Sequence, residues 1–258
     1  MHLMKRILSA AAVLALSASL LVGCSSGTAS SVPVSASSAA ESTVSSVEET
    51  ASSAVDENEA AAAQLLNDLT GSYQELWPVI LADEYKQTWL DDCTALVGED
   101  NAEAAFEKLS SMVTGDVYGE DAVKAYANGG GAYFCGFTNS LAILTFDGET
   151  STISGTDKDG NVLFSHTYHY IGMEPVRGLY EFQSDDADSG EFTYFFLAPD
   201  TSAETYHIEF RYGSDAEALS QYDTGEYAYW LASGISTDCD QTMIDNCIEL
   251  FCTENLAG

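Results

Sequence analysis

Basic residues are nearly missing from this chain. Eight lysines and arginines stand against 41 aspartates and glutamates, giving a formal charge of −33 over 258 residues. A polyanion of this kind does not bind nucleic acid by neutralising phosphates. Anionic lipid headgroups repel it too, so any hold on a membrane has to come from a lipid anchor. Long apolar runs are missing as well: the one from Ile7 to Val22 is too short to span a bilayer comfortably. No cysteine pair has CxxC spacing, the usual mark of cysteine-ligated zinc. No serine, cysteine or histidine arrangement resembles an activated nucleophile. Gly129-Gly130-Gly131 precedes a strand pattern, not a helix, so it is no phosphate loop. The expected role is therefore not enzymatic.

What is present begins at the N-terminus. Lys5 and Arg6 precede the apolar run, which ends in Leu21-Val22-Gly23-Cys24. A short basic region, an apolar core and a small residue before a cysteine describe a bacterial lipoprotein signal over residues 1–23. Cys24 is then the lipidated residue, and multiple acyl chains give firm anchoring. The expected location is extracytoplasmic, on the cell membrane. Cleavage removes Lys5 and Arg6 and no acidic residue, taking the charge to −35. Such a charge serves solubility at a cell surface, or draws cations, metal ions included, through its summed field.

Residues 24–60 are mostly Ser, Ala, Val, Thr and Glu. That composition cannot bury enough surface to offset its ordering entropy, and it reads as a tether. Residues 61–258 are long enough for one domain. Five cysteines follow Cys24: Cys93, Cys135, Cys239, Cys247 and Cys252. They are packing residues or a partial disulfide set, and their odd number cannot pair completely.

The domain opens with helical periodicity. Leu65, Leu66 and Leu69 share a face, and Tyr73, Leu76, Trp77, Ile80 and Leu81 continue the spacing, with Pro78 as a kink or restart. Further helices are predicted over Tyr85–Leu96, with Trp89 and Leu96 inward, and over Ala102–Val113. From Ala132 the period becomes two. Strands are predicted at Ala132–Phe137, Leu141–Phe146, Thr150–Thr156, Asn161–Ile171, Val176–Gln183, Glu191–Leu197 and Thr205–Tyr212. A last helix fits Asp240–Thr253, capped from Thr237-Asp238. The fold class is α+β, mainly β: an antiparallel meander closing into a barrel, with N-terminal helices and a C-terminal one.

Two acidic stretches stand out, and the first looks like a calcium-loop fragment. Asp157-Lys158-Asp159-Gly160-Asn161 lacks the remaining ligands and reads as a hairpin turn. Asp185 to Glu191 reads as a solvated hairpin tip, with calcium binding as the alternative. Of the histidines, His207 shares a strand face with Thr205, Glu209 and Arg211, whereas His169 lies opposite the aromatic face of its strand. If both polar faces line the barrel mouth, His169 and His207 meet, with Glu209 or Glu204 completing a metal site. Otherwise each histidine is simply hydrogen-bonded.

The segment Leu69-Thr70-Gly71-Ser72-Tyr73-Gln74-Glu75-Leu76-Trp77-Pro78-Val79-Ile80, the stretches Ser165 to Gly172 and Gly178 to Phe182, then Leu197-Ala198-Pro199, Tyr206-His207-Ile208 and Ile235-Ser236-Thr237-Asp238 occur in a characteristic order. In that order the domain resembles the ZinT (YodA) family of exported zinc- and cadmium-binding proteins, over nearly all of residues 65–258. The resemblance implies a lipocalin-like (calycin) barrel, bound zinc or a similar divalent cation, and partnership with a metal-uptake ABC transporter or its binding protein. The family's three histidine ligands fall on Phe195, Thr205 and His207, so only His207 is kept. Glu204, Glu209 and His169 are the candidates to replace the others, and a carboxylate-rich set favours harder ions. The alternative is a calycin module that has lost its metal and binds a small apolar ligand or a protein partner.

Overall fold

A computed structural model describes residues 57–198 and 207–257. The expected signal, Cys24 and most of the tether lie outside the described residues, as do Glu204 and Thr205. Helix α1 already runs at 57, four residues ahead of the expected start of the domain, and continues to 68. Among the described residues no helix is long and apolar enough to cross a membrane.

Eight strands form a closed barrel in sequence order: β1 (Gly71–Glu75), β2 (Ile143–Asp147), β3 (Thr152–Thr156), β4 (Val162–Met173), β5 (Tyr180–Ser184), β6 (Tyr194–Leu197), β7 (His207–Gly213) and β8 (Ala232–Ser236). Every neighbouring pair is antiparallel, and β8 closes on β1 through Tyr73↔Ser236 and Glu75↔Gly234. Closure leaves no sheet edge exposed. The mainly β barrel with helices on its N- and C-terminal sides is the architecture that the resemblance implies.

The interior is packed with rings. Phe164, Tyr168, Phe182, Phe195, Phe210 and Tyr212 alternate with outward residues along their strands and are buried. Phe195 stands 5.3 Å from Tyr212 and 5.4 Å from Tyr168, centroid to centroid. An eight-stranded barrel is just wide enough for side chains to fill, and here aromatic rings fill it. Leu65 and Leu66 of α1, with Leu69 just past its end, join this core. A methyl group added at Gly148, in the β2–β3 turn, would meet the Asn67 backbone at 2.4 Å, so α1 docks tightly on that turn.

A second core lies outside the barrel wall. Helices α2 (Leu76–Ile80), α3 (Lys86–Val97), α4 (Glu99–Val113) and α7 (Gln241–Leu256) bury Trp77, Trp89, Leu109 and Ile248 with the outward-facing Ile235 of β8. Two short helices, α5 (Glu120–Ala125) and α6 (Ala216–Leu219), sit in the connections. Asp240 caps α7, its carboxylate accepting from the Met243 backbone N–H at 3.0 Å, in place of the expected Thr237-Asp238.

Three further expectations are corrected, and one strand is added. The helical spacing across Tyr73 belongs to two elements, because β1 ends at Glu75 and Pro78 lies in the first turn of α2, where its missing N–H costs nothing. Ala132–Phe137 is not a barrel strand. It is a strap whose carbonyls at Phe134 and Cys135 accept from Leu231 and Ser233, taking the start of β8's edge before β1 takes the rest. Strand β8 lies outside the expected segments: a Cβ added at Gly234 would stand a tight 3.1 Å from the Ile208 side chain, and this small-residue strand has no alternation to read. Leu96 is 38% exposed, and Cys93 takes the inward place beside Trp89.

Candidate functional site

Strand β7 divides its residues as alternation dictates. Ile208, Phe210 and Tyr212 enter the barrel, whereas His207, Glu209 and Arg211 project from its outer wall. The outward face is not at the barrel mouth and not in bulk solvent. Helices α2 and α7 cover its first half, leaving His207 and Glu209 half-buried. There the two line a cavity of about 30 Å³ with Leu76, Trp77, Ile80, Cys247, Phe251 and Glu254. That volume suits one water-sized occupant. Cys247, Phe251 and Glu254 recur at intervals of four and three along α7, one helical face aimed at β7. Burial pushes the Cys247 thiol up to about 12, helped by Cys239 and by the charges of Glu209 and Glu254. Glu209 also acts on Cys135, whose thiol burial raises to about 12. Both thiols are therefore protonated at neutral pH.

His207, Glu209 and Glu254 all have partners. Among the described residues, no three His, Cys, Asp or Glu side chains converge closely enough to hold a metal ion. One imidazole, two carboxylates and a thiol are donor types that suit a divalent cation, but the described geometry does not assemble them into a complete ligand set. Glu204 lies outside the described residues. Cys247 and Glu254 were missed as cavity residues, although the helical period of α7 places them on one face.

His169 does not join this group. It lies on the outer face of β4, where its Nδ1 meets Asp185 Oδ1 at 2.6 Å. Through the register His169↔Gln183↔Tyr194↔Gly213 it stands level with a residue six places beyond His207 on β7. At about 3.4 Å per residue the two imidazoles are about 20 Å apart along the strands, with β5 and β6 between them. The expected meeting of His169 and His207 does not occur. Phe195 fails the carried-over ligand pattern for a different reason. It pairs with Tyr212 inside the barrel, on the face opposite His207, and is fully buried.

The acidic stretches are accounted for by local structure. Asp157 closes its turn by accepting from the Asp159 and Asn161 backbones, both at 2.9 Å, and the Asn161 amide lowers its pKa most. Asp185 and Asp186 each hold a histidine, Asp186 Oδ2 lying 2.7 Å from His166 Nδ1.

Further along β7, Arg211 is 0% exposed. Its guanidinium donates to the carbonyls of Leu219, Gln221 and Tyr227 and lies over the Tyr222 ring, while its Nε–H has no partner. Arg177 lies 4.4 Å from the same ring centre, and the Tyr222 hydroxyl donates to Glu174 at 3.3 Å. This cluster fixes the loop after β7 to the barrel wall.

A larger hollow, about 350 Å³, opens between α2, the end of α4 and the strap. Trp77, Pro78, Leu81, Val113 and Phe134 give it an apolar wall, with Glu75 at its edge. The Glu75 carboxylate accepts from the Phe137 backbone N–H at 2.6 Å.

The fold and site thus define a closed eight-stranded barrel whose polar donors sit outside the wall, under the C-terminal helix. No protein-family model matches the chain, and no curated protein matches its sequence. Among solved structures it is similar to the Zn(II)-bound ZinT-like domain of Streptococcus pneumoniae AdcA, with a TM-score of 0.44 and 16% identity over 71% of this chain and 89% of that one. It is also similar to Zn(II)-bound AdcA from the same organism, with a TM-score of 0.39 and 17% identity over 75% of this chain and 35% of the other, so it spans about a third of that protein.

Proposed function

We propose that this protein is a non-catalytic, extracytoplasmic binding protein for zinc or a similar divalent cation, anchored to the membrane through Cys24 and handing its ion to a metal-uptake transporter. The observation that carries the reading is the small cavity under α7, lined by the His207 imidazole and the Glu209 and Glu254 carboxylates, donor types that suit a divalent cation. The charge of −33 supports it by concentrating cations near the surface. The sequence resemblance supports it through His207 alone. Carboxylate ligands bind first-row metals less selectively than a three-histidine set.

Calorimetric titration of metal-free protein with zinc tests the reading. Binding is expected in the wild type, with a loss of at least tenfold in His207→Ala and a smaller loss in Glu209→Gln. No heat at micromolar zinc, or affinity unchanged by His207→Ala, overturns it.

The 350 Å³ hollow favours a second reading, a module for a small apolar ligand, since its volume lies in the range of small-molecule sites. The packed barrel interior leaves such a ligand this outer wall. An organic molecule co-purifying with metal-free protein would select it.

A further inference from the structure

The Sγ atoms of Cys93 on α3 and Cys252 on α7 stand 3.9 Å apart, and both residues are 0% exposed. We propose that these two thiols are joined as a disulfide in the working protein, stapling the C-terminal helix to α3. The proposal takes its oxidising surroundings from the extracytoplasmic reading above. It takes its partners from geometry alone.

A neighbouring contact fixes the alignment of the two helices. Trp89, one turn before Cys93, lies 5.9 Å from Phe251, which immediately precedes Cys252. A disulfide needs its sulfurs at about 2.05 Å, so each sulfur moves by only about 1 Å. The other thiols are poor competitors. Cys247 precedes Cys252 by five residues, on a different face of α7, and lines the small cavity instead. Cys135 sits on the strap and Cys239 is half-buried ahead of α7. Among the described residues no other thiol pair makes a sulfur–sulfur contact of this kind.

Timing follows from burial, which raises the pKa of both thiols and leaves little reactive thiolate once the chain has folded. The bond therefore forms while the exported chain is still folding. One cysteine thiolate attacks the disulfide of a disulfide oxidant, such as an oxidoreductase or oxidised glutathione, and releases one thiol. The second thiolate then displaces the other half of the oxidant. Two protein thiols are oxidised, and the two released oxidant thiols carry away their electrons and protons.

The span between Cys93 and Cys252 encloses every strand except β1. Closing so long a loop removes much freedom from the unfolded chain. It also holds the α7 face bearing Phe251 and Glu254 against the His207 cavity.

The test uses the full chain carrying Cys24→Ser, reduced and unfolded, then refolded in a glutathione redox buffer. Alkylation and digestion without reductant follow. A peptide pair linking Cys93 to Cys252 is expected, with two fewer alkylated thiols than the reduced control. The melting temperature should exceed that of the reduced protein by about 10 °C. Cys93→Ser should lose the link and the extra stability. Reduced and oxidised wild type give the same comparison without any substitution. Five alkylatable thiols after oxidative refolding, or a link through Cys135, Cys239 or Cys247 in its place, overturns the proposal. Glutathione oxidation reads the pairing independently of location. Linkage in the tube with a cytoplasmic native protein would therefore overturn the disulfide of the working protein together with the location it rests on, whereas no linkage in the tube overturns the pairing alone.

Discussion

The Arg211 guanidinium lies 4.4 Å from the centre of the Tyr222 ring, eleven residues along the chain and fully inside the protein. A strand residue and a loop residue are thereby locked together by a cation–π contact in a desolvated setting, where such contacts are strongest. The carbonyls of Leu219, Gln221 and Tyr227 complete the lock.

Replacing Arg211 with methionine keeps bulk and removes the donors. The carbonyls left behind are buried, and a loss of about 3–5 kcal/mol is expected in urea unfolding. Arg211→Lys should recover little, because an ammonium cannot reproduce the planar fork. Hydrogen exchange should show the loop 214–230 losing protection first.

His169→Ala should leave zinc titration within twofold of wild type, because His169 is paired with Asp185 some 20 Å along the strands from His207. Stability should change by less than about 1 kcal/mol, since the pair is exposed. A tenfold fall in zinc affinity would show that the two histidines act together.

Phe195→His restores the histidine that the resemblance places at this position. Its ring would replace one packed among Tyr168, Phe210 and Tyr212 inside the barrel. A loss of about 2–4 kcal/mol is expected, with no gain in zinc affinity. Thermal melting and zinc titration of the same sample check both parts.

Asp92 on α3 is held above the usual carboxylate range by burial, then by the charges of Glu249, Asp245 and Asp91, and its Oδ2 has no partner. Its folded pKa exceeds its unfolded one, so ionisation opposes folding. Below the unfolded pKa, about 4, Asp92 is protonated in both states and carries no penalty. As pH rises through the folded pKa the penalty appears, and it persists at pH 7. Asp92→Asn should melt like wild type at pH 3 and above it at pH 7. Equal melting at both values would show that Asp92 relaxes into solvent.

Much of the barrel was legible because alternation survives wherever one strand face is apolar. β2, β3, β4 and β7 follow their predicted segments closely. β1 was hidden because its five residues run straight into α2, and Leu69, Tyr73, Leu76 and Ile80 happen to fall at helical intervals. His207 and Glu209 were legible as one polar face, but alternation cannot say what covers that face. Here it is α7, from a distant part of the chain, and that long-range packing turns a polar stripe into a cavity. The distance between His169 and His207 was hidden too, because only strand order and register give distance across a barrel.

Strand β7 has an aromatic core behind it, with helices and a loop in front. A slip of one residue would thrust the Arg211 cation among the rings and expel Phe210 toward the helices. Both sides of the wall would reject the same error, so misaligned folding intermediates gain nothing from either. This strand therefore has its register specified from both faces of the cylinder wall, where strands with one wet side have it specified from one.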